Sequence, residues 1–241
     1  MSDGDLSKSY DGISAYAWDW MGGDEIQSDL PFYQRKIQEV GGRALDLACG
    51  TGRHLLRYLK LGLDVEGVDV LEGMLARLRE KADAQNLRPI VYRQSMEGFD
   101  LPHRRCFHHL EPGGRLLIET FIPAEAWNPE LDRRLGENIG EFSTWGPTEL
   151  PSGETVTTQV RMDSIDRFEQ VKTDKRRHEL SREGEAIRTE LHTLRLRWYF
   201  THELSLMLEN AGFVGVFIHG DYSDSPATAQ SSETVYAATK P

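Results

Sequence analysis

Cysteine is scarce in this chain: Cys49 and Cys106 are the only two in 241 residues. Cys49 falls inside a glycine turn, so a disulfide framework is not expected, and a reducing compartment, the cytoplasm, is. No apolar run approaches the roughly 18 residues that a membrane helix needs, and the mean hydropathy is −0.52. The opening MSDGDLSKSYDG is acidic and polar and does not read as a secretion signal. Positive charge is also short. Against 39 Asp and Glu stand 28 Lys and Arg, a net −11 that argues against a broad nucleic-acid surface. No basic run interleaved with aromatics offers a local one. A small-molecule substrate is therefore expected, with no nucleic-acid or membrane partner. Metal-ligand spacing is missing too. His108 and His109 are neighbours that point to different faces of a helix, and neither they nor His103 have a carboxylate at ligand spacing. What remains is 39% hydrophobic residues, enough core for one large domain or one domain with an inserted subdomain.

The most informative stretch runs from Arg43 to Val70, RALDLACGTGRHLLRYLKLGLDVEGVDV. Ala44, Leu45, Leu47 and Ala48 make a nearly continuous apolar run, suited to a strand covered on both faces. Gly50-Thr51-Gly52 turns the chain. Both glycines can take φ > 0 and let a ligand approach the backbone. Leu55, Leu56, Leu59 and Leu61 then give a helical stripe. A second short strand ends at Asp69. The whole predicts a right-handed βαβ unit whose helix N-terminus faces the carboxyl edge of the sheet, the usual binding edge for nucleoside-containing cofactors. Asp69, 17 residues after Gly52, is placed to accept hydrogen bonds from a ribose diol. A dinucleotide fingerprint, G-x-G-x-x-G, would need a third glycine where this chain has Leu55, which speaks against a nicotinamide-dependent oxidoreductase.

With Asp46 four residues before Gly50, the turn has the form D-x-A-C-G-T-G, which resembles the first motif of the class I S-adenosylmethionine-dependent methyltransferases. Further motifs follow in order: Gly67-Val68-Asp69-Val70 with Glu72-Gly73-Met74-Leu75, Gln94-Ser95-Met96, and Glu111-Pro112-Gly113-Gly114 leading into Arg115-Leu116-Leu117-Ile118. The resemblance covers roughly Tyr10 to Phe121 and returns from Trp198 to Pro241. It implies an α/β, doubly wound, Rossmann-like seven-stranded sheet and S-adenosyl-L-methionine as cofactor. It implies Asp46, Ala48, Gly50, Thr51 and Gly52 at the methionine part, Asp69 and Val70 at the ribose, Ser95 and Met96 at the adenine, and Met74 beside them. The aromatic segment Tyr10 to Trp20 would either pack plainly over the sheet or act as a lid, with Tyr10 and Tyr16 touching cofactor or substrate. No general base stands out. Glu119, Tyr199, His219, Tyr222 and Tyr16 are candidate pocket residues, and His219 reads equally well as a plain strand-end residue.

The family pattern breaks at one place. A central fourth strand with its crossover helix takes about 30 residues, yet only PHRRCFHHLE separates Pro102 from Glu111. Three accounts fit: a segment left out of the sequence, a rearranged central pairing, or a truncated and defective variant. The first is favoured, because both flanks look intact. After the fifth strand, Ile122 to Trp145 reads as a covering loop. Glu154–Ile165, Arg167–Leu180 and Glu185–Phe200 alternate as three antiparallel strands, a substrate-pocket wall or a homodimer surface, with Lys172 to Arg177 as a solvated face. Thr201 reads as the N-cap of the next helix. Residues 1–141 would hold the lid and cofactor part, 142–200 the inserted subdomain, and 201–241 the last helix and strands. The expected function is methyl transfer to an N or O atom of a small molecule. The alternative is a non-catalytic S-adenosylmethionine-binding or interaction protein.

Overall fold

The computed structural model describes residues 12–21, 29–95, 110–120, 122–123, 140–150 and 152–241. Tyr10, Met96, Cys106 and the three histidines at 103, 108 and 109 lie outside them, as does the Pro102–Glu111 stretch except for its last two residues. The side chain of Tyr16 is also outside the description.

Two helices come first, α1 (Ile13–Met21) and α2 (Asp29–Val40). The βαβ unit follows as β1 (Ala44–Leu47), α3 (Arg53–Lys60) and β2 (Val65–Asp69), extended by α4 (Glu72–Ala84) and β3 (Ile90–Arg93). β1 and β3 both pair with β2 in parallel, Asp46 opposite Gly67 and Asp69 opposite Arg93. Every residue of β2 is buried, as a strand covered on both faces must be. Leu55 on α3 and Leu75 and Leu78 on α4 are fully buried against it. At about 2 kcal/mol per fully buried leucine, these anchor both helices. Leu55 approaches so closely because Gly67 has no side chain. A Cβ there would lie 3.0 Å from Leu55 and 2.8 Å from the Cys49 sulfur.

The second half begins with β4 (Arg115–Thr120) and ends with α5 (Thr201–Asn210), β9 (Val214–Gly220) and β10 (Thr234–Thr239). β10 lies between β4 and β9 and is antiparallel to both. Among the described residues, therefore, there is no seven-stranded sheet. There are two three-stranded halves, β3-β2-β1 and β4-β10-β9, in the order expected on either side of a missing centre. Paired strands must lie about 4.8 Å apart, and no ladder links β1 to β4 among the described residues. The halves are joined instead through α2. Its Leu30, Tyr33 and Ile37 pack on the β1 side. Its other face meets the second half: Glu39 with Arg115 at 3.1 Å, Lys36 with Asp224 at 2.7 Å, and the Phe32 ring against His219.

Inserted in sequence between β4 and α5 lies a third sheet of four antiparallel strands, one more than expected: β5 (Ser143–Glu149), β6 (Thr155–Asp166), β7 (Val171–Arg182) and β8 (Glu185–Arg197). β5 reads STWGPTE, and its glycine and proline disguise it as loop. It is an edge strand with a register shift between Trp145 and Pro147, the setting in which a sheet tolerates proline. The charged run 172–177 is not a solvated face. Strand alternation turns Asp174 inward, where it is 4% exposed. Nor is Thr201 the cap of α5. Phe200 occupies that position, and the Glu203 carboxylate accepts its backbone N–H at 3.1 Å.

Gly67→Ala is expected to lower stability by about 1–3 kcal/mol through overpacking against Cys49 and Leu55, read as a lower midpoint in chemical or thermal unfolding.

Candidate functional site

The turn after β1 is drawn tight by its own backbone. Ala48, Gly50 and Gly52 all have positive φ, at 58°, 53° and 82°. The Cys49 N–H donates to the Val68 carbonyl at 3.0 Å, and the Gly52 N–H to the Cys49 carbonyl at 2.9 Å. Gly52 must be a glycine for space as well, since a Cβ would meet Leu78 at 2.8 Å. Asp69, at the end of β2, locks the arrangement. One carboxylate oxygen accepts the Gly50 N–H at 2.9 Å and the other the Leu71 N–H at 2.8 Å. A single buried side chain thus fixes the first turn and the entry to α4. Val70 is 47% exposed beside it, and Ser95 is exposed after β3. The Gln94 N–H donates to the Asp69 carbonyl and keeps those ends together. Met74 is buried against Leu71 and against Ala15 of α1.

Asp46 lies on β1 just before the turn. Burial lifts its carboxyl to about 6, with Asp69 adding to the rise; His54, Arg53 and the Leu55 backbone pull the other way. Burial likewise pushes up the Cys49 thiol, and Asp46 and Asp69 add to it.

Three further groups surround this edge, and sequence reasoning missed the residue at the centre of the first two, Asp19 and Asp29. Asp19 on α1 accepts from Thr51 Oγ1, from Lys81 at 2.7 Å and from Arg77 at 3.0 Å, so α1 is tethered to both the turn and α4. Asp29, at the start of α2, is 2% exposed and sits at the N-terminus of α3. Arg53 grips it with two nitrogens, and His54 Nε2 lies 2.9 Å away. Burial pushes the Asp29 carboxyl up, but the hydrogen bonds from His54 and Arg53 outweigh it and hold the group well below the usual carboxylate range. An arginine opening a helix is unfavourable toward its dipole. That pattern, Gly52-Arg53-His54, was the available signal for a buried acid nearby.

The third group is Glu119 at the carboxyl end of β4. It accepts from the phenols of Tyr33 and Tyr222, each at 2.8 Å. Burial and Glu119 raise both phenols, so they stay protonated donors. Of the candidate pocket residues, Glu119 and Tyr222 are thus brought together, with Tyr33 as an unforeseen third. His219 lies behind them across Phe32, its Nδ1–H donating to the Ser223 carbonyl at 2.8 Å. Burial lowers its basicity. Tyr199 is elsewhere, packed with Leu204, Leu208 and Phe213 under α5. Among the described residues no group of three or more His, Cys, Asp or Glu is arranged to hold a metal ion. No described helix is long and apolar enough to cross a membrane.

Comparison with known proteins matches residues 44–114 to a family described as a methyltransferase domain. A putative methyltransferase of Geobacillus sp. (strain WCH70) is 37% identical over 89 residues, covering 32% of this chain and 36% of that protein. The alignment thus spans about a third of that relative. The putative methyltransferase YqeM of Bacillus subtilis (strain 168) is 26% identical over 255 residues, covering 90% of this chain and 94% of the relative. Among solved structures, an S-adenosylmethionine-dependent methyltransferase from Clostridium acetobutylicum ATCC 824 superposes with a TM-score of 0.71 at 17% identity, over 94% of this chain and 97% of that one. The sugar N-methyltransferase KedS8 from Streptoalloteichus sp. ATCC 53650 gives 0.70 at 18% identity, over 100% and 98%. These likenesses are of fold, Rossmann-like α/β.

Asp29→Asn should cost about 2 kcal/mol at pH 7, because it leaves the inward side of Arg53 and His54 without its counter-charge. A lowered carboxyl contributes stability that is complete above its unfolded value of 3.8 and is lost as pH falls through the folded value. The difference between wild type and variant in urea unfolding should therefore be constant above about pH 5 and shrink below pH 4.

Proposed function

We propose that the chain, whose residues 44–114 match a methyltransferase domain and whose fold resembles that of an S-adenosylmethionine-dependent methyltransferase, is a class I enzyme of that kind and transfers a methyl group to a nitrogen or oxygen atom of a small polar molecule, an amino or hydroxyl group of a sugar foremost. One observation carries the reading of the cofactor site. At the position where a dinucleotide site has its third glycine, Leu55 is 0% exposed and packed onto Gly67, while the place of a Cβ at Gly50 has nothing nearer than the Ala48 carbonyl oxygen at 3.9 Å and leaves that backbone open. The turn suits a nucleoside cofactor without phosphate better than one with a pyrophosphate. The sugar class is supported by the likeness to KedS8, a sugar N-methyltransferase.

In this reading Asp46 faces the ammonium of the methionine part, with the backbone from Ala48 to Gly52 around its carboxylate. Asp69 holds the ribose diol with the acceptor capacity that Gly50 and Leu71 leave free. Val70, Met74, Ser95 and Met96 line the base, and α1 with Tyr10 and Tyr16 closes over it. When bound, S-adenosylmethionine supplies a methyl group already activated by the positive sulfur. The work left to the chain is to align the acceptor behind that carbon and to exclude water.

The break between β1 and β4 favours a second reading, an S-adenosylmethionine-binding protein without catalysis. Transfer of labelled methyl to amino sugars separates the two. Activity removes the second reading, and tight cofactor binding with no transfer removes the first.

Calorimetric titration with S-adenosylmethionine should give micromolar binding that tightens as pH rises from 5 to 7. Asp46 is charged only above its value of about 6, and the charged form is the one that holds an ammonium. Asp46→Asn should bind about tenfold more weakly at pH 7, the scale of one charge-assisted hydrogen bond, and show a flat profile. A sloping profile that persists in the variant would remove Asp46 from the site.

A further inference from the structure

Glu119, at the carboxyl end of β4, has a carboxylate that only neutral groups satisfy. One oxygen accepts the Tyr33 phenol and the other the Tyr222 phenol, each at 2.8 Å. Burial, with Glu119 adding, keeps both phenols protonated, so neither brings charge. A carboxylate offers about four lone-pair sites, and about two are left. Among the described residues no cation pairs with it. The nearby ones are engaged elsewhere: Arg53 and His54 with Asp29, Lys36 with Asp224. Yet Glu119 is exposed, not shut away behind its donors. A surface glutamate that is free to turn gains little from a cation, because holding the pair costs side-chain entropy. This one is braced from both sides, so a cation that docks there meets a carboxylate already oriented.

The surroundings favour an organic cation. The Tyr33 and Tyr222 rings lie 6.3 Å apart at 61°. Aromatic faces attract ammonium groups. A hard metal ion would need six or so oxygen ligands, and no group of three or more metal-ligating side chains stands here among the described residues. A hydroxyl donates one hydrogen bond to the carboxylate but brings no charge to balance it. Glu233, just before β10, adds to the negative field: burial raises its carboxyl, and Glu119 raises it further.

The position connects Glu119 to the glycine turn. Tyr33 holds it through the phenol, and the Tyr33 ring lies 5.5 Å from the ring of His54. His54 is the second residue of α3, directly after Gly52 and Arg53. One tyrosine thus touches both the carboxylate and the first turn of the helix that leaves the glycine turn. Burial works against the Arg53 guanidinium, but Asp29, and with it Glu119, raises it. The carboxylate and the turn therefore lie on one edge.

We propose that Glu119, braced by Tyr33 and Tyr222, is the specificity residue for the acceptor and takes a cationic amino group of a small polar molecule of the amino-sugar class. This rests on the methyltransferase reading above and narrows it to amino compounds over their hydroxyl counterparts. Its part is recognition, and the methyl transfer itself asks nothing of it. A plain brace between α2 and β4 would use the same two hydrogen bonds, and binding measurements separate the two roles.

The test uses the full chain saturated with S-adenosylhomocysteine, so that binding is read without turnover. Calorimetry compares glucosamine with glucose, each free and as its uridine diphosphate conjugate. Wild type should bind the amine about tenfold more tightly or better. Glu119→Gln, which still offers hydrogen bonds to both tyrosines, should weaken the amine about tenfold to 100-fold, the scale of a hydrogen bond to a charged group, and leave the hydroxyl sugar and the cofactor within about twofold. Wild type that takes both sugars alike, or neither, overturns the proposal. A folded variant that keeps the preference also overturns it, as does one that loses both sugars equally, which assigns Glu119 to the brace alone. Where the variant fails to fold, wild-type NMR decides: contacts from the amino sugar to the Tyr33 and Tyr222 ring protons support the subsite, and their absence overturns it. No S-adenosylhomocysteine binding by wild type overturns the methyltransferase premise, a separate result.

Discussion

Among the described residues no ladder links the two half-sheets, and α2 is packed against both. Its position dictates much of the rest. The helix presents Leu30, Tyr33 and Ile37 to one half and Phe32, Lys36 and Glu39 to the other. The same helix starts with Asp29, which neutralises the cationic opening of α3, and carries Tyr33, which reaches Glu119 on β4. Structural joint and ligand-facing edge are therefore one element. A shift of α2 would disturb the glycine turn and the Glu119 group together.

The glycine turn was legible in the sequence because its parts lie in one βαβ unit, so spacing alone brings Asp46, the glycines and Asp69 to one edge. The Glu119 group was not, since its three residues are 86 and 103 positions apart and come from separate elements that only the fold assembles. β5 was hidden by Gly146 and Pro147, residues that an edge strand with a register shift can accept. The charged run at 172–177 misled for a different reason. Its composition says surface, but a period of two puts Asp174 inside, and the next inward residue after Arg176 is His178. Tyr10 and Met96 lie outside the described residues, and nothing bears on their expected roles.

Two surfaces meet α1. One is the glycine turn after β1, with the carboxylates of Asp46 and Asp69 beside it, the proposed cofactor site. The other is a sheet face whose strand alternation packs histidines, acids and arginines side by side. α1 spans them, its last turns on the cofactor side through Asp19 and its first on the sheet through Ile13. Both anchors are acidic side chains, one gathering two cations and a hydroxyl, the other a helix N-terminus. Salt weakens such contacts at the surface and spares them where they are buried.

Cys49 shows what the closeness of the turn to Gly67 entails. The thiol is 7% exposed, wedged where no Cβ fits opposite it, and burial, with two nearby carboxylates adding, keeps it from ionising. Oxidants and alkylating agents attack the thiolate. Cys49 offers neither the charge nor the access they need, so the same close packing that seats Leu55 on Gly67 also shields this sulfur.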